Sequence, residues 1–181
     1  MTTFPPNLTP ELAERARRIR LAIFDVDGVL TDGRLFFDDQ GREYKGFHVR
    51  DGHGIKLLQE SGVAVAVISA RASPSVSHRM SGLGIRHVYL GQQNKLAAFE
   101  SLCRELDLDA TQVSHAGDDL VDLCILRRVG LAIAVADAHP ALLPHVHWQT
   151  GAGGGQGAAR EVCDLLMTAQ GTLPAILASH W

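Results

Sequence analysis

The chain has 181 residues, of which 46% are hydrophobic and 20% charged, and its formal net charge is −3. This composition is typical of one globular domain with a sizeable core, and it lacks the excess of basic residues that nucleic-acid-binding proteins carry. No apolar run approaches the roughly 20 residues that a membrane-spanning helix needs, and the N-terminal stretch lacks an apolar segment of signal-peptide length. We therefore expect neither nucleic acid nor a membrane as a partner.

The three cysteines, Cys103, Cys124 and Cys163, are odd in number and form no CxxC pair. Such a pattern favours buried free thiols over a disulfide framework, which predicts a reducing, cytoplasmic location. The nine histidines show no zinc signature.

In chain order, the Pro-rich start predicts a loose arm over about residues 1–8, and Thr9 is a plausible N-cap for a helix over 10–18. The apolar run Leu21 to Phe24 then predicts a short buried strand. Asp25 and Asp27 follow it at once, before a glycine turn.

Two carboxylates so close together repel each other unless a cation or a shared proton intervenes. Asp25 and Asp27 therefore indicate a metal site in which one carboxylate is free to act as nucleophile or as acid and base. A solvated acidic turn explains the same residues, because Asp and Gly are common in turns. The motif alone leaves both interpretations open.

Two short runs around the turn sequence DDQG, over 34–37 and 43–49, predict a β-hairpin that protrudes after the first strand. A hairpin of this size is too small to bury its own aromatic side chains. We therefore expect Phe36, Phe37 and Phe47 to pack against another subunit.

The remaining chain alternates helices with strands that are apolar along their whole length, which predicts a mainly parallel sheet covered by helices on both faces. We expect a single doubly wound α/β domain over residues 1–181, ending in a tail from about 171. A glycine-rich loop is expected over 148–157. Its stretch 151–157 lacks the Lys-Ser/Thr of a P-loop and favours a flexible connector. The predicted elements are helices 51–61, 74–83, 94–106, 120–127 and 157–167, strands 63–68, 87–90, 112–116 and 131–135, and one helical turn at 141–143.

Ligands of such sheets bind outside the carboxyl ends of the strands. Those ends carry Asp25 with Asp27, then Ser69, and later Asp118 with Asp119, while Lys95 begins a helix after another strand. Carboxylate oxygens suit Mg²⁺, and a phosphoryl group needs that metal, a cation and hydrogen-bond donors. Asp25 could attack phosphorus, Asp27 could protonate the leaving alcohol and deprotonate water, and Lys95 could shield the charge.

The order DxDGVLTD, Ser, Lys, GDDxxD resembles the four motifs of the haloacid dehalogenase superfamily, over about residues 20–160. The segments FHVRDGHGIKLL, VISAR, GQQNK, AVADAHP and GGGQGAARE are similar to its capless branch. The resemblance implies a Rossmann-like fold, Mg²⁺ as the cofactor and phosphatase activity through an aspartyl-phosphate. It implies that Asp25 is the nucleophile and a metal ligand, that Asp27 is the acid/base and binds the metal through its backbone carbonyl, and that Asp118 is a further metal ligand. It also implies that Ser69 and Lys95 bind the phosphoryl group and that Asp119 and Asp122 are supporting carboxylates.

The branch also implies the substrate class, which is the phosphate of an eight- or nine-carbon keto sugar acid. The expected substrate is 3-deoxy-D-manno-octulosonate 8-phosphate, an intermediate on the way to lipopolysaccharide, and a nine-carbon sialic-acid-type 9-phosphate is the alternative. Arg50, Arg71 and Arg160 are candidates for binding the sugar acid's carboxylate or phosphate. Members of the branch form homotetramers in which the hairpin and the C-terminal segment help cover a neighbour's site.

Two positions depart from the pattern of the branch: Ala70 replaces a glycine, and His53 replaces an apolar residue. An alanine would be strained if position 70 required a positive φ. Two other classes of protein remain as alternatives, a phospho-receiver signalling domain and a non-catalytic regulatory relative. In receivers the acidic pair ends the first strand and the acceptor Asp lies later, whereas here Lys95 precedes the second acidic pair.

Overall fold

The computed structural model of the protein describes residues 8–179, and its main sheet has six strands, all parallel. The strands are β1 (Leu21–Phe24), β2 (Phe36–Phe37), β3 (Glu43–Tyr44), β4 (Ala64–Ile68), β5 (His87–Tyr89), β6 (Val113–Gly117), β7 (Leu131–Ala134) and β8 (Trp148–Gln149). The order in the sheet is β5-β4-β1-β6-β7-β8, which places β1 at the centre. Strands β2 and β3 form the antiparallel hairpin outside it.

Seven α-helices connect and cover these strands within the described residues. They are α1 (Pro10–Arg17), α2 (Val49–Glu60), α3 (Pro74–Gly82), α4 (Lys95–Leu106), α5 (Leu123–Leu126), α6 (Ala158–Ala169) and α7 (Leu173–Ala178). Short 3₁₀ turns lie at Ala110–Gln112, Leu120–Asp122 and Pro140–His145. No helix in this part of the chain combines the length and the apolar character needed to cross a bilayer.

Alternate residues of β1 enter two separate hydrophobic cores, because side chains along a strand point to opposite faces. Ala22 and Phe24 pack in a core with α1, α2, α3 and α6, whereas Leu21 and Ile23 pack in a core with α4 and α5. All four residues of β1 are buried. The predicted doubly wound α/β fold is therefore confirmed, with the β1–β6 region at its centre.

Thr9 caps α1 as expected, because its side-chain oxygen accepts a hydrogen bond from the Leu12 amide at 3.2 Å. The other predicted helices and strands are present, with most ends shifted by one or two residues. The helix expected at 120–127 is divided into a 3₁₀ turn and the short helix α5. The arm expected at residues 1–8 lies almost entirely outside the described residues.

The segment 148–157, expected as a loop, begins with a sixth strand. Trp148 pairs with Ile133 of β7, and Gln149 pairs with Ala134. A two-residue edge strand shows no alternation that a sequence pattern could reveal, and only the neighbouring strand defines it. The region from Gly171, expected as a tail, contains α7.

The glycine-rich loop is packed against the loop that follows β1. The Gly155 amide donates to the Val29 carbonyl at 2.9 Å, and a Cβ on Gly154 would lie 1.9 Å from the Gly28 carbonyl oxygen. Only a residue without a side chain permits this approach of two backbones. The flexible connector that the composition suggested is instead a packed support of the loop carrying Asp25 and Asp27.

Phe47 does not behave as expected. It packs against the core of this same chain, with the Arg79 guanidinium 5.9 Å from its ring centroid. The side chains of Phe36, Phe37 and Tyr44 are by contrast more than half exposed on the hairpin. The expectation that the hairpin phenylalanines pack against another subunit is therefore wrong for Phe47, which packs on its own chain, and stays a prediction for the exposed Phe36 and Phe37.

Candidate active site

The candidate residues gather in one cleft at the carboxyl edge of the sheet. Asp25 directly follows β1, Ser69 directly follows β4, and Asp118 directly follows β6. The three strands are neighbours in the sheet, so their ends place these side chains around a common space. The cleft has a volume of about 270 Å³ and is lined by Asp25, Asp27, Gly33, Ser69, Ala70, Arg71, Lys95, Asp118, Asp119 and Val121.

Lys95 is the first residue of α4, and its side chain lines the cleft. The Asn94 side chain caps this helix by accepting a hydrogen bond from the Ala97 amide, which fixes where the helix begins. Lys95 Nζ lies 2.9 Å from Asp25 Oδ2 and 2.8 Å from Asp122 Oδ1, and its side chain is buried. Burial would lower the pKa of Lys95, but the two carboxylates raise it above its ordinary value, so the ammonium stays charged.

Both oxygens of Asp122 are occupied by partners within the protein. Oδ1 accepts hydrogen bonds from Lys95 and from His115 Nε2 at 2.9 Å, and Oδ2 accepts from the Asp118 amide at 3.2 Å and the Asp119 amide at 3.5 Å. Burial would raise the pKa of Asp122, yet the histidine and the lysine outweigh it and hold that pKa far below its usual range. Asp122 is therefore a fixed anion that orients Lys95 and the Asp118 loop.

Asp25 and Asp118 form the part of the site that can accept a cation. Asp25 Oδ1 is buried and has no hydrogen-bond partner, and oxygens of Asp25, Asp118 and Asp122 lie within 4.8 Å of one another. Burial raises the pKa of Asp25 to about 6 and that of Asp118 to about 7, and in both cases neighbouring carboxylates add to the effect. Because the oxygens of Asp122 are already engaged, Asp25 and Asp118 are the carboxylates that fit Mg²⁺.

Gly28 makes room for the Asp118 carboxylate. A Cβ at position 28 would lie 2.0 Å from Asp118 Oδ2, and the φ of Gly28 is +89°, a conformation that other residues rarely adopt. Position 28 of the DxDG motif therefore requires glycine for two reasons. The turn needs a positive φ there, and a side chain would collide with the Asp118 carboxylate.

The Asp27 side chain points toward the hairpin. Its Oδ1 accepts a hydrogen bond from Lys45 Nζ, and its Oδ2 lies 3.7 Å from Arg71 Nε. Glu43 of β3 completes the group, since its carboxylate lies 3.1 Å from Lys45 Nζ and 2.6 Å from Arg71 Nη2. Arg71 is thus brought to the cleft, as expected.

Ser69 is buried at the floor of the cleft, where its Oγ accepts a hydrogen bond from the Arg71 amide at 3.2 Å. Asp119 lines the exposed side of the cleft and caps the 3₁₀ turn that follows it, accepting a hydrogen bond from the Leu120 amide at 2.7 Å.

Asp107 is the one non-glycine residue with a positive φ between residues 8 and 179. Ala70 is therefore not strained by its backbone, contrary to the concern raised by the missing glycine.

Arg50 and Arg160 do not line the cleft. Arg50 is exposed near the start of α2. The Arg160 amide donates to Asp51 at 2.8 Å, and its Nε donates to both oxygens of Asp164 at 2.9 Å. Arg160 is therefore engaged in joining α2 to α6 within this chain.

Three residues near the site escaped the sequence analysis: Glu43, Lys45 and His115. Glu43 and Lys45 belong to the hairpin, and their proximity to Asp27 depends on how the hairpin folds back over the cleft. His115 lies in the middle of a buried strand, where a histidine by itself gives no signal. The one available hint was that two polar residues, Ser114 and His115, interrupt the segment 113–116 of a strand predicted to be buried.

Comparisons with known proteins agree with the geometry. The family model for haloacid dehalogenase-like hydrolase matches residues 81–161. Over 166 residues the chain is 48% identical to the 3-deoxy-D-manno-octulosonate 8-phosphate phosphatase KdsC of Salmonella typhimurium, an alignment that covers 92% of this chain and 88% of that protein.

Two solved structures are similar over nearly the whole chain. The 3-deoxy-D-manno-octulosonate 8-phosphate phosphatase from Yersinia pestis has a TM-score of 0.93 and 45% identity, covering 96% of this chain and 94% of its own. The enzyme of the same name from Moraxella catarrhalis has a TM-score of 0.94 and 36% identity, covering 96% and 100%. The latter structure holds a magnesium ion, a phosphate ion and a KDO molecule.

Proposed function

The chain belongs to the haloacid dehalogenase-like hydrolases, within the family of 3-deoxy-D-manno-octulosonate 8-phosphate phosphatases, and we propose that it hydrolyses this sugar-acid phosphate to the free sugar acid and phosphate. The observation that carries the proposal is the meeting of Asp25, Asp118, Ser69 and Lys95 in one cleft. These groups supply a nucleophile, a cation site, a hydroxyl donor and an ammonium, which together suit phosphoryl transfer. Dephosphorylation of this compound is a step in making the lipopolysaccharide precursor.

Mg²⁺ is the cofactor that the donor set supports, and the Asp25 and Asp118 carboxylates and the backbone carbonyl of Asp27 would hold it. When bound, it neutralises charge on the phosphoryl oxygens and so lets a carboxylate approach phosphorus. Ser69 and Lys95 would bind the remaining phosphoryl oxygens. Asp122 and Asp119 would support them, Asp122 by holding the Lys95 ammonium in place.

The reaction would proceed in two steps through Asp25. In the first step Asp25 forms a bond to phosphorus while the ester bond breaks, and Asp27 donates its proton to the departing alcohol oxygen. In the second step a water molecule attacks phosphorus, Asp27 takes its proton, and the bond from Asp25 to phosphorus breaks. Inorganic phosphate leaves, and both aspartates return to their starting states.

Arg71 is the candidate for recognising the substrate carboxylate, because its guanidinium lines the cleft and is about half exposed. Arg50 and Arg160 would contribute only from another subunit or after a rearrangement, since neither lines the cleft of its own chain.

We further propose a homotetramer in which the exposed hairpin side chains Phe36 and Phe37 pack on a neighbouring subunit. The three thiols carry no disulfide, which supports a cytoplasmic location.

The test is phosphate release from 3-deoxy-D-manno-octulosonate 8-phosphate with Mg²⁺, compared between the wild type and the Asp25→Asn variant. We expect multiple turnovers by the wild type and none by the variant, with the same far-ultraviolet circular dichroism. A metal-free sample treated with a chelator should be inactive until Mg²⁺ is added. A single stoichiometric phosphorylation without turnover would support a receiver domain, and complete inactivity would support a regulatory relative.

A further inference from the structure

The hairpin is attached to the cleft through a buried lysine. Lys45 follows β3, and its side chain is fully buried even though apolar side chains of the same hairpin are exposed. Its ammonium contacts the Asp27 carboxylate, 18 residues away, and the Glu43 carboxylate at 3.1 Å. Lys45 is the hairpin residue whose charge is directed at the catalytic loop.

A buried ammonium is stable only when anions compensate for the loss of water. Glu43 provides this compensation, and Asp27 adds to it in its carboxylate form. Arg71 in turn neutralises the second Glu43 oxygen at 2.6 Å. Asp27 Oδ1 can accept the Lys45 hydrogen bond whether or not Oδ2 carries a proton. The four side chains alternate in charge. Moving the fully buried Lys45 would leave the Asp27 and Glu43 carboxylates without the ammonium between them, so the arrangement resists rotation of the Asp27 carboxylate.

The two oxygens of Asp27 are not equivalent in this arrangement. Oδ1 is hydrogen-bonded to Lys45, whereas Oδ2 has only a loose contact with Arg71 Nε at 3.7 Å. Oδ2 is therefore the oxygen that remains available to a leaving group or a water molecule in the cleft. Without Lys45, the carboxylate could rotate about its side-chain torsions and present neither oxygen reliably.

We propose that Lys45 is a positioning residue that holds Asp27 Oδ1 and thereby directs Asp27 Oδ2 at the ester oxygen of the substrate. This inference rests on the proposed phosphatase function and extends it to a residue outside the catalytic motifs. In the step concerned, the proton on Oδ2 passes to the ester oxygen as the bond from that oxygen to phosphorus breaks and the bond from Asp25 to phosphorus forms. The alcohol leaves neutral, and Asp27 remains as a carboxylate.

Proton donation matters most when the leaving group is a poor one. Phenyl phosphate and 4-nitrophenyl phosphate have nearly the same shape and lack a carboxylate, but 4-nitrophenolate leaves readily without a proton. The ratio of their kcat/KM values therefore reports proton donation and is insensitive to contacts with the sugar acid. Because kcat/KM includes only the steps up to formation of the phosphorylated enzyme, slow hydrolysis of that intermediate does not affect it.

The experiment measures kcat/KM for both esters with Mg²⁺ in four proteins: the wild type, Lys45→Met, Asp27→Asn and the exposed-lysine control Lys56→Met. General acid catalysis is worth roughly 10²–10⁴-fold, so Asp27→Asn should lose at least about 100-fold more on phenyl phosphate than on 4-nitrophenyl phosphate. For Lys45→Met we expect a differential loss of about tenfold or more. Lys56→Met should match the wild type on both esters.

Equal losses of Lys45→Met on the two esters, or no loss on either, would overturn the positioning role. Should this variant lose its native circular dichroism, Lys45→Gln is compared in the same way. Other outcomes test the proposed function independently of Lys45. A wild type that is inactive on all phosphate esters would contradict the phosphatase function. An Asp27→Asn variant that loses equally on both esters would contradict the role of Asp27 as proton donor.

Discussion

The Asp118→Asn substitution should stabilise the metal-free protein at alkaline pH while removing its response to Mg²⁺. The pKa of Asp118 is raised from 3.8 to about 7 by burial and by the neighbouring charges of Asp25 and Asp122. At about 1.36 kcal/mol per pH unit, ionising this carboxyl in the folded protein costs up to about 4 kcal/mol. Partial exposure of the side chain and the polarity of the asparagine amide reduce the expected gain to roughly 1–3 kcal/mol.

The sign of the pH dependence follows from the direction of this shift. A carboxyl whose folded pKa lies above its unfolded pKa binds its proton more tightly in the native state. Its contribution to stability is therefore complete below pH 3.8 and is lost as the pH rises through about 7. The difference in unfolding free energy between Asp118→Asn and the wild type should be small near pH 4 and reach its full value near pH 8.

The assay is urea unfolding monitored by circular dichroism at pH 4, 6 and 8. Each titration is done once with a chelator and once with millimolar Mg²⁺. Bound Mg²⁺ should stabilise the wild type at pH 8, because a ligand that binds only the native state adds to the unfolding free energy. The variant should show little of this gain. Exposed Asp39→Asn in the hairpin turn is the matched control and should behave as the wild type. A metal-free variant less stable than the wild type at pH 8, or a variant that keeps the full Mg²⁺ response, would refute the reasoning.

Three further predictions concern the support of the site and its surroundings. Asp122→Ala should lower the unfolding free energy by about 3–5 kcal/mol in urea titrations, because it leaves the buried Lys95 ammonium with Asp25 alone and removes the acceptor of the buried His115 ring. An unchanged stability would contradict the role of Asp122 as a fixed anion. Gly28→Ala should weaken Mg²⁺ binding at least about tenfold by calorimetry, because its Cβ would displace the Asp118 carboxylate. Gly41→Ala, another positive-φ glycine with open space around it, is the control and should bind Mg²⁺ normally. Phe36→Ser with Phe37→Ser should shift sedimentation toward smaller species, and an unchanged sedimentation coefficient would remove the hairpin from the subunit interface.

The candidate active site was accessible to sequence reasoning because it depends on short, local patterns. The apolar run of β1 ends at Phe24, and a parallel sheet brings its carboxyl end beside those of β4 and β6, so Asp25, Ser69 and Asp118 had to meet if the fold was right. The capping of α1 by Thr9 and the mainly parallel sheet followed from equally local signals. These conclusions required residue types and their order in the chain but no knowledge of side-chain contacts.

Features that depend on how distant segments approach each other were decided only by the tertiary structure. Strand β8 exists because its two residues lie beside β7, and Phe47 is partly buried because the chain after the hairpin returns to the core. Arg160 faces Asp164 within α6 and is drawn to Asp51 by the packing of α2 on α6. The sequence by itself therefore determined which polar groups meet at the carboxyl edge of the sheet. The three-dimensional arrangement decided which charges hold them in place, since an ion pair between residues far apart in the chain, such as Lys45 and Asp27, leaves no periodic trace in the sequence.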